Sequence, residues 1–251
     1  MFMEDNEVSI IYGRHPILEA VESGKTIEKI LFQQGLRGEL EKEIRHLCRD
    51  HEIPLQVVPK ERMNRVVSGN HQGVIAYTSP ITYQNIDSLL PEILEKKGNP
   101  VFLILDSITD VRNIGAIARS AEVLGADGII LGMRGTAPIN GDAIKTSAGA
   151  LTRIPICREN SLANTITYLQ EMGIMVSVSD LKGEKTVEQC NWNEPTAIIL
   201  GAEGNGVHPS LIKAADQKFI IPQQGEINSL NVSVAAGIIL YEVMRQRNPT
   251  I

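Results

Sequence analysis

The stretch that decides the fold of most of this chain is VFLILDSITDVRNIGAIARSAEVLG, residues 101 to 125. Its opening run, VFLILD, is almost entirely apolar, which is typical of a strand buried on both faces of a parallel sheet. A polar turn follows, and the next apolar residues recur at helical spacing, at Ile114, Ile117, Ala121 and Leu124. The stretch therefore predicts a buried strand that passes through a turn into a helix.

Similar apolar runs continue toward the C-terminus, at residues 128–132, 174–179, 196–201 and 218–222. Helical patterns lie among them, at about 115–124, 161–171 and 209–215. Strands that alternate with helices indicate an α/β domain with a mostly parallel sheet and helices on both of its sides. The final segment, 232–245, carries an apolar stripe and is predicted to be a helix that packs on the core.

The N-terminal part predicts a second, smaller α/β unit. Helices are expected at 15–23, 39–51 and 61–68, and strands at 27–32, 55–58 and 73–77. Residues 79 to 100 then carry three prolines and a glycine around a short helical stretch, which indicates an interdomain connection. We therefore expect an N-terminal domain over 1–78, a linker over 79–99 and a larger domain over 100–251.

Composition narrows the class of protein. With 251 residues and 43% hydrophobic content, the chain can bury a substantial core. The acidic N-terminus is unlike an export signal and no apolar run approaches a bilayer span, so we expect a cytoplasmic protein with no membrane contact. The three cysteines form no C-x-x-C pair and no cluster has metal-ligand spacing, so neither a disulfide framework nor a metal site is expected.

The formal net charge of −6 argues at first sight against a polyanionic partner. Local charge matters more than the total, and two stretches are basic. One, at residues 60 to 71, contains Lys60, Arg62, Arg65 and His71, and the other, at residues 134 to 158, contains Arg134, Lys145, Arg153 and Arg158. Each is consistent with an RNA-binding surface and equally with an ordinary solvated surface.

Three strand ends carry polar residues suited to chemistry, and open α/β sheets bind ligands at such ends. In the first, at residues 105 to 125, Asn113 suits a helix N-cap. Arg119 lies off the apolar stripe, so it is either a solubilising charge or a guanidinium oriented toward phosphate or carboxylate.

The second strand end, AIILGAEGNGVHPSL at 197–211, is a glycine-rich loop with one acid, Glu203. It matches neither a dinucleotide fingerprint nor a Walker loop, because the glycine order differs and no G-K-[ST] follows. Glu203 either points to solvent, caps the following helix or serves a ligand site. In the third strand end, Ser229 and Asn231 precede the final helix, where either could simply cap it.

Together the three segments resemble the SpoU or TrmH family of RNA 2'-O-ribose methyltransferases, within the SPOUT superfamily. N-x-G-A-I-x-R-x-A matches Asn113 to Ala121, G-x-E-x-x-G matches Gly201 to Gly206, and S-L-N-V-S-x-A matches Ser229 to Ala235. The N-terminal YGRHPILEA and HQGVIA look like the ends of a ribosomal-protein-like substrate-binding domain. The resemblance covers almost the whole chain and is strongest to bacterial enzymes that methylate a guanosine of 23S rRNA.

The resemblance implies an S-adenosylmethionine-dependent enzyme that folds as an α/β-knot with a deep trefoil knot and forms a homodimer. It assigns catalytic roles to Asn113, Arg119, Glu203, Ser229 and Asn231. It assigns cofactor binding to Gly201, Ile221 and Leu230. The candidate RNA contacts of the N-terminal domain are Arg14, Arg65 and His71.

Two alternatives remain open at this point. One is methylation of tRNA, or of a different rRNA nucleotide, by the same architecture. The other is a non-catalytic RNA-binding or ribosome-assembly factor that keeps the fold. Enzymes that use nicotinamide or nucleoside triphosphates are disfavoured, because both phosphate-binding fingerprints are missing.

Overall fold

The computed structural model describes residues 10–133, 135–202, 204–225 and 229–248. The chain divides into two compact units. The smaller unit comprises residues up to Thr82 together with Pro138–Gly141, and the larger unit comprises Tyr83–Ala137 and the chain from Asp142 onward.

The smaller unit is a four-stranded sheet with three helices. Its elements are β1 (Ile10–Tyr12), α1 (Arg14–Glu22), β2 (Ile27–Gln33), α2 (Glu39–Asp50), β3 (Leu55–Val58), α3 (Lys60–Val66) and β4 (Val74–Thr78). The strand order is β1-β4-β2-β3, with β2 and β3 parallel and β4 antiparallel to both of its neighbours. The edge strand β1 was not predicted, because its three residues are too few for a periodic pattern.

Alternate residues of β2 and β4 serve two different cores. Phe32 packs with Ile17 of α1 and Ile44 of α2 on one face of the sheet. Leu31 and Ile75 pack with Met63 of α3 on the other face. Both faces are covered because successive side chains of a strand point to opposite sides.

The larger unit is a seven-stranded sheet flanked by helices. Its strands are β5 (Val101–Asp106), β6 (Gly128–Gly132), β7 (Ile156–Glu159), β8 (Met175–Ser179), β9 (Lys185–Thr186), β10 (Thr196–Gly201) and β11 (Gln217–Ile220). Its helices are α4 (Ile86–Lys97), α5 (Val111–Val123), α6 (Gly141–Thr146), α7 (Leu162–Glu171), α8 (Pro209–Ala214) and α9 (Val232–Arg247). The strand order is β7-β6-β5-β10-β8-β11-β9, and every pairing is parallel.

This architecture confirms the predicted α/β class with a mostly parallel sheet. The central strands β5 and β10 are buried along nearly their whole length, as their apolar sequences predicted. Strands β7 and β9 were not predicted, because the first is half polar and the second has only two residues. Within the stretch expected to be a linker, α4 packs Leu89 and Leu90 into the core of the larger unit.

The C-terminal end of α9 is anchored by a buried tryptophan and an arginine. Trp192 is fully buried, donates from Nε1 to the Val187 carbonyl at 2.8 Å and packs edge-on against Phe219. Arg247 donates to the carbonyls of Trp192, Asn99 and Glu194 at 2.7 to 2.8 Å. Among the described residues, no helix has the length and apolar character needed to cross a bilayer.

We predict that Trp192→Ala lowers the free energy of unfolding by about 3–5 kcal/mol, because it empties a fully buried site. Equilibrium urea unfolding, followed by circular dichroism, measures the change. The control is Met172→Ala at an exposed position, which should stay within about 0.5 kcal/mol of the wild type. Equal effects of the two substitutions would contradict the anchoring role of Trp192.

Candidate active site

The candidate site lies at the carboxyl ends of four adjacent strands. In the strand order, β5, β10, β8 and β11 are neighbours, and Gly201 at the end of β10 pairs with Asp106 at the end of β5. Because parallel strands end at the same edge of the sheet, the loops that follow them meet there. The ends of β8, β10 and β11, together with the segment that leads into α9, line a cavity of about 310 Å³.

One wall of this cavity is the glycine-rich loop after β10. The chain doubles back, so that the Gly206 amide donates to the Ala202 carbonyl at 2.9 Å. A Cβ atom at Gly201 would lie 2.1 Å from the Gly206 carbonyl carbon and 2.2 Å from the Val207 nitrogen. No side chain fits there, and Gly201, Gly204 and Gly206 all line the cavity. The wall is therefore mostly main chain, because glycine leaves no side chain between the backbone and the cavity.

The opposite wall comes from β11 and from the segment that leads into α9. Ile221 lies just after β11, and Ser229 and Leu230 precede α9. The structure thus brings together the three residues that the resemblance assigned to the cofactor, Gly201, Ile221 and Leu230, around one cavity. The segment between these two parts of the wall includes Glu226, Ile227 and Asn228, which lie outside the described residues.

Two asparagines join the starts of α5 and α9. Asn231 Nδ2 donates to Asn113 Oδ1 at 3.1 Å, across 118 residues of sequence. Asn231 also caps α9, because its side chain accepts from the Ser233 amide at 2.9 Å. Asn231 therefore caps the helix and also lies at the candidate site, two roles that the sequence left as alternatives. Because Ser229 and Leu230 line the cavity, the segment 229–231 connects the cavity to α5.

The expectation that Asn113 caps α5 is wrong. The helix starts at Val111, and its N-cap is Asp110, whose side chain accepts from the Arg112 amide at 2.8 Å. That hydrogen bond lowers the pKa of the Asp110 carboxyl below its usual range. An aspartate fills a cap as well as an asparagine does, so the local pattern alone could not choose between them. The side chain of Asn113 is thereby available to bond with Asn231.

Arg119 is an exposed residue of α5, one position before Ser120. Ser120 lines a shallow cavity between α5 and α9, together with Ser233, Val234 and Tyr241. Within the described part of the chain, neither a hydrogen bond nor an ion pair of the guanidinium is found. Glu203 lies outside the described residues, so its assigned catalytic role stays a prediction.

The three candidate RNA contacts of the smaller unit differ in their surroundings. Arg14 forms a two-point ion pair with Glu43, at 2.7 and 2.9 Å. His71 is buried, donating from Nε2 to Asn64 Oδ1 and accepting from the Gly73 amide at Nδ1. Arg65 is exposed in the last turn of α3. Arg14 and His71 thus have partners within the unit, and of the three only Arg65 is an exposed residue.

Asp106 is a site residue that the sequence analysis missed. Its buried carboxylate accepts from the His208 amide at 2.8 Å through Oδ2 and from the Ser107 hydroxyl at 2.9 Å through Oδ1. It therefore holds the residue two positions after Gly206, at the base of the glycine-rich loop. The available signal was an acid at the very end of an apolar strand, a position where a carboxylate needs a partner.

The described residues give no indication of a metal-binding site or of a reactive cysteine. Over the described ranges, no three His, Cys, Asp or Glu side chains group closely enough to hold a metal ion. All three cysteines are buried, and burial raises the pKa of the Cys48 thiol to about 11 and that of the Cys157 thiol to about 12. Such thiols remain protonated at neutral pH and are poor nucleophiles.

We predict that Asp106→Ala weakens binding of S-adenosylmethionine about tenfold, because the His208 amide loses a buried acceptor and the loop loosens. Asp106→Asn keeps an acceptor oxygen and should stay within about threefold of the wild type. Calorimetric titration of each variant measures the dissociation constant, and melting curves show whether the fold persists. A folded Asp106→Ala protein with unchanged affinity would contradict this role.

Comparison with known proteins agrees with this geometry. Residues 100–241 match the family model described as SpoU rRNA methylase, and residues 10–84 match the model described as RNA 2'-O ribose methyltransferase substrate binding. A protein of Staphylococcus aureus assigned to the TrmH family of tRNA/rRNA methyltransferases is 35% identical over 98% of both chains. YacO of Bacillus subtilis, with the same assignment, is 33% identical over 95% of this chain and 96% of its own.

Solved structures show the same likeness. The SpoU methyltransferase AviRb from Streptomyces viridochromogenes, in complex with the cofactor AdoMet, has a TM-score of 0.61 and 25% identity. The alignment covers 96% of this chain and 90% of AviRb. The motifs, the parallel sheet and the matched models together assign the protein: the chain belongs to the SpoU/TrmH family of S-adenosylmethionine-dependent RNA ribose methyltransferases.

Proposed function

We propose that this protein methylates the ribose 2'-hydroxyl of a guanosine in 23S rRNA, in the cytoplasm, with the methyl donor held in the cavity at the end of β10. The observation that carries the proposal is the continuity of the segment 229–231. Its first two residues line the cavity, and Asn231 bonds to Asn113 on the helix that carries Arg119. Donor and acceptor sites can therefore lie side by side.

The cavity suits a flat, positively charged donor. Leu200, Ile221 and Leu230 supply apolar surface for an adenine ring, and the glycine-rich loop offers main-chain groups. Among its described lining residues, Asp180 carries the one ionisable side chain, and a carboxylate is compatible with a sulfonium. When bound, S-adenosylmethionine supplies a methyl group that is already a good electrophile.

Alignment and charge stabilisation are the tasks left to the protein. A ribose hydroxyl is a very weak acid, so negative charge develops on its oxygen during transfer. Arg119 would stabilise that charge, since a guanidinium with a pKa above about 12 is a poor base. The proton would pass to a phosphate oxygen or to water. Asn113 and Asn231 would orient Arg119 or the nucleotide, Ser229 would bond to ribose or phosphate, and Glu203 would orient Arg119 or the substrate.

Arg119→Ala should lower kcat about 100-fold or more, because one charged donor to the developing oxyanion is lost. Arg119→Lys keeps the charge without the planar guanidinium and should recover only part of the rate. Methyl transfer to RNA from a radiolabelled donor measures both variants. The affinity for S-adenosylmethionine should be unchanged. A near wild-type rate for Arg119→Ala would exclude the proposed role.

The N-terminal domain, predicted over 1–78, would bind the RNA substrate, and the domain predicted over 100–251 would carry out the transfer, with residues 79–99 connecting the two. The match of residues 10–84 to a substrate-binding model supports this division. We further propose that the larger unit contains a deep trefoil knot. In support, Arg247 near the end of α9 bonds to a carbonyl just before β5, at Asn99, and to two carbonyls just before β10, at Trp192 and Glu194.

A homodimer is also proposed, formed through α5 and α9. These helices expose Val123, Val234 and Tyr241 at 50% or more of their surface, and Ile238 at 38%. Such clustered apolar exposure is typical of a protein interface. Because Arg119 lies on α5, a partner at this face would place its residues next to the site.

The double variant Ile238→Asp, Tyr241→Asp should be monomeric, because two charges would be buried without partners at the interface. Light scattering after size-exclusion chromatography gives the mass of each species, and the wild type should run as a dimer. Met172→Asp, at an exposed position on the end of α7, is the control and should leave the mass unchanged. A monomeric wild type would contradict the proposed dimer.

The target nucleotide is tested by mapping 2'-O-methyl groups on ribosomal RNA from cells with and without the protein. The proposal expects one guanosine of 23S rRNA to lose its methyl group when the protein is absent. Loss from a tRNA or from another rRNA nucleotide would replace the proposed target. Failure of the purified protein to transfer a labelled methyl group to any cellular RNA would instead indicate a non-catalytic binding factor.

A further inference from the structure

One face of the smaller unit carries an exposed tyrosine close to a second tyrosine and a lysine that are both partly buried. Ile10, Tyr77 and Lys29 lie side by side across β1, β4 and β2. Tyr12 pairs with Ile75 on the same face, which is the face covered by α3. We call the four residues Ile10, Tyr12, Lys29 and Tyr77 the tyrosine patch.

The two tyrosines of this patch are held in place. A Cβ atom at Gly69 would lie 2.8 to 3.0 Å from the hydroxyl and ring atoms of Tyr12, so the ring rests directly on the backbone. Tyr12 nevertheless remains 40% exposed. Burying its ring would stabilise the fold, so this aromatic surface is not explained by packing alone. Tyr77 is partly buried, and Lys29 Nζ lies 4.7 Å from the centre of its ring. Tyr12 thus offers a supported, exposed ring for stacking, and Lys29 with Tyr77 adds a cation on the same face.

The charge on this side of the unit is positive. Lys60, Arg62 and Arg65 of α3 are all exposed, against the single carboxylate of Glu61 on that helix. The opposite side differs, because the bases of α2 are balanced by acids along the same helix, as in the Arg45–Glu41 pair. Phosphate would thus be attracted to the α3 side and not to the α2 side.

We propose that the tyrosine patch, with the exposed bases of α3, binds unpaired nucleotides of the RNA substrate, a base stacking on Tyr12 while the phosphates contact Arg62 and Arg65. This rests on the proposed function, in which the smaller unit binds RNA. An aromatic ring can stack only on a base that has left its helix, since paired bases are covered by their neighbours. The patch therefore selects loops or bulges over continuous duplex.

Binding measurements on the full chain test this inference. The probes are a short RNA hairpin with a uridine loop and a blunt RNA duplex of equal length, each fluorescently labelled. Tyr12→Leu should weaken hairpin binding about tenfold and leave duplex binding unchanged, because one stacked base is lost. Tyr12→Phe keeps the ring and should bind the hairpin like the wild type.

A second arm tests the charges. Arg65→Ala should lower the slope of log affinity against log salt by roughly one, and Lys42→Ala on the α2 side should not change it. A third arm places 5-iodouridine in the hairpin loop and irradiates the complex. The cross-link should appear on the tryptic peptide that ends at Arg14 and should disappear in Tyr12→Leu.

The inference is overturned if Tyr12→Leu binds the hairpin like the wild type, or if it weakens hairpin and duplex equally. A cross-link that maps to the larger unit and is unaffected by Tyr12→Leu also overturns it. Methyl transfer by the wild type to ribosomal RNA is measured in parallel. Absence of methyl transfer would refute the proposed function alone. Normal methyl transfer, together with wild-type hairpin binding by Tyr12→Leu, would refute the proposed role of the tyrosine patch alone.

Discussion

The close approach of two backbone segments at the end of β10 is the constraint on which the site depends. Gly201 has no space for a side chain, because the peptide between Gly206 and Val207 lies against its Cα. The buried carboxylate of Asp106 then holds the next residue of the returning chain, His208. A loop tied at both points can present main-chain groups at fixed positions, which is what preorganised binding of a ligand requires.

In the proposed mechanism, cofactor binding and methyl transfer take place in different parts of the larger unit. The cavity is lined mostly by main chain and apolar side chains, and its described lining contains no lysine or arginine. Arg119 stands outside that lining, on α5. This separation is physically favourable, because a guanidinium inside the cavity would repel a sulfonium, whereas one beside the ribose can stabilise an oxyanion. The hydrogen bond from Asn231 to Asn113 links the two regions.

Periodic features were the ones that sequence reasoning could predict. The central strands, the helix at the C-terminus and the three motif segments each follow from local spacing. Features that depend on partners far along the chain were missed or misassigned. Asp106 was overlooked because its acceptor role involves an amide 102 residues away. The cap was assigned to Asn113 because only the backbone path could show that the helix begins at Val111.

The sequence by itself determined the α/β class, the order of the longer strands and helices, and the residue types available for methyl transfer, because apolar periodicity and short motifs are local properties. Only the tertiary structure decided which of those residues meet. It placed Gly201, Ile221 and Leu230 around one cavity, and buried His71 within the smaller unit instead of exposing it. Packing brings together segments that are distant along the chain, and a local sequence pattern does not specify how close such segments lie in space.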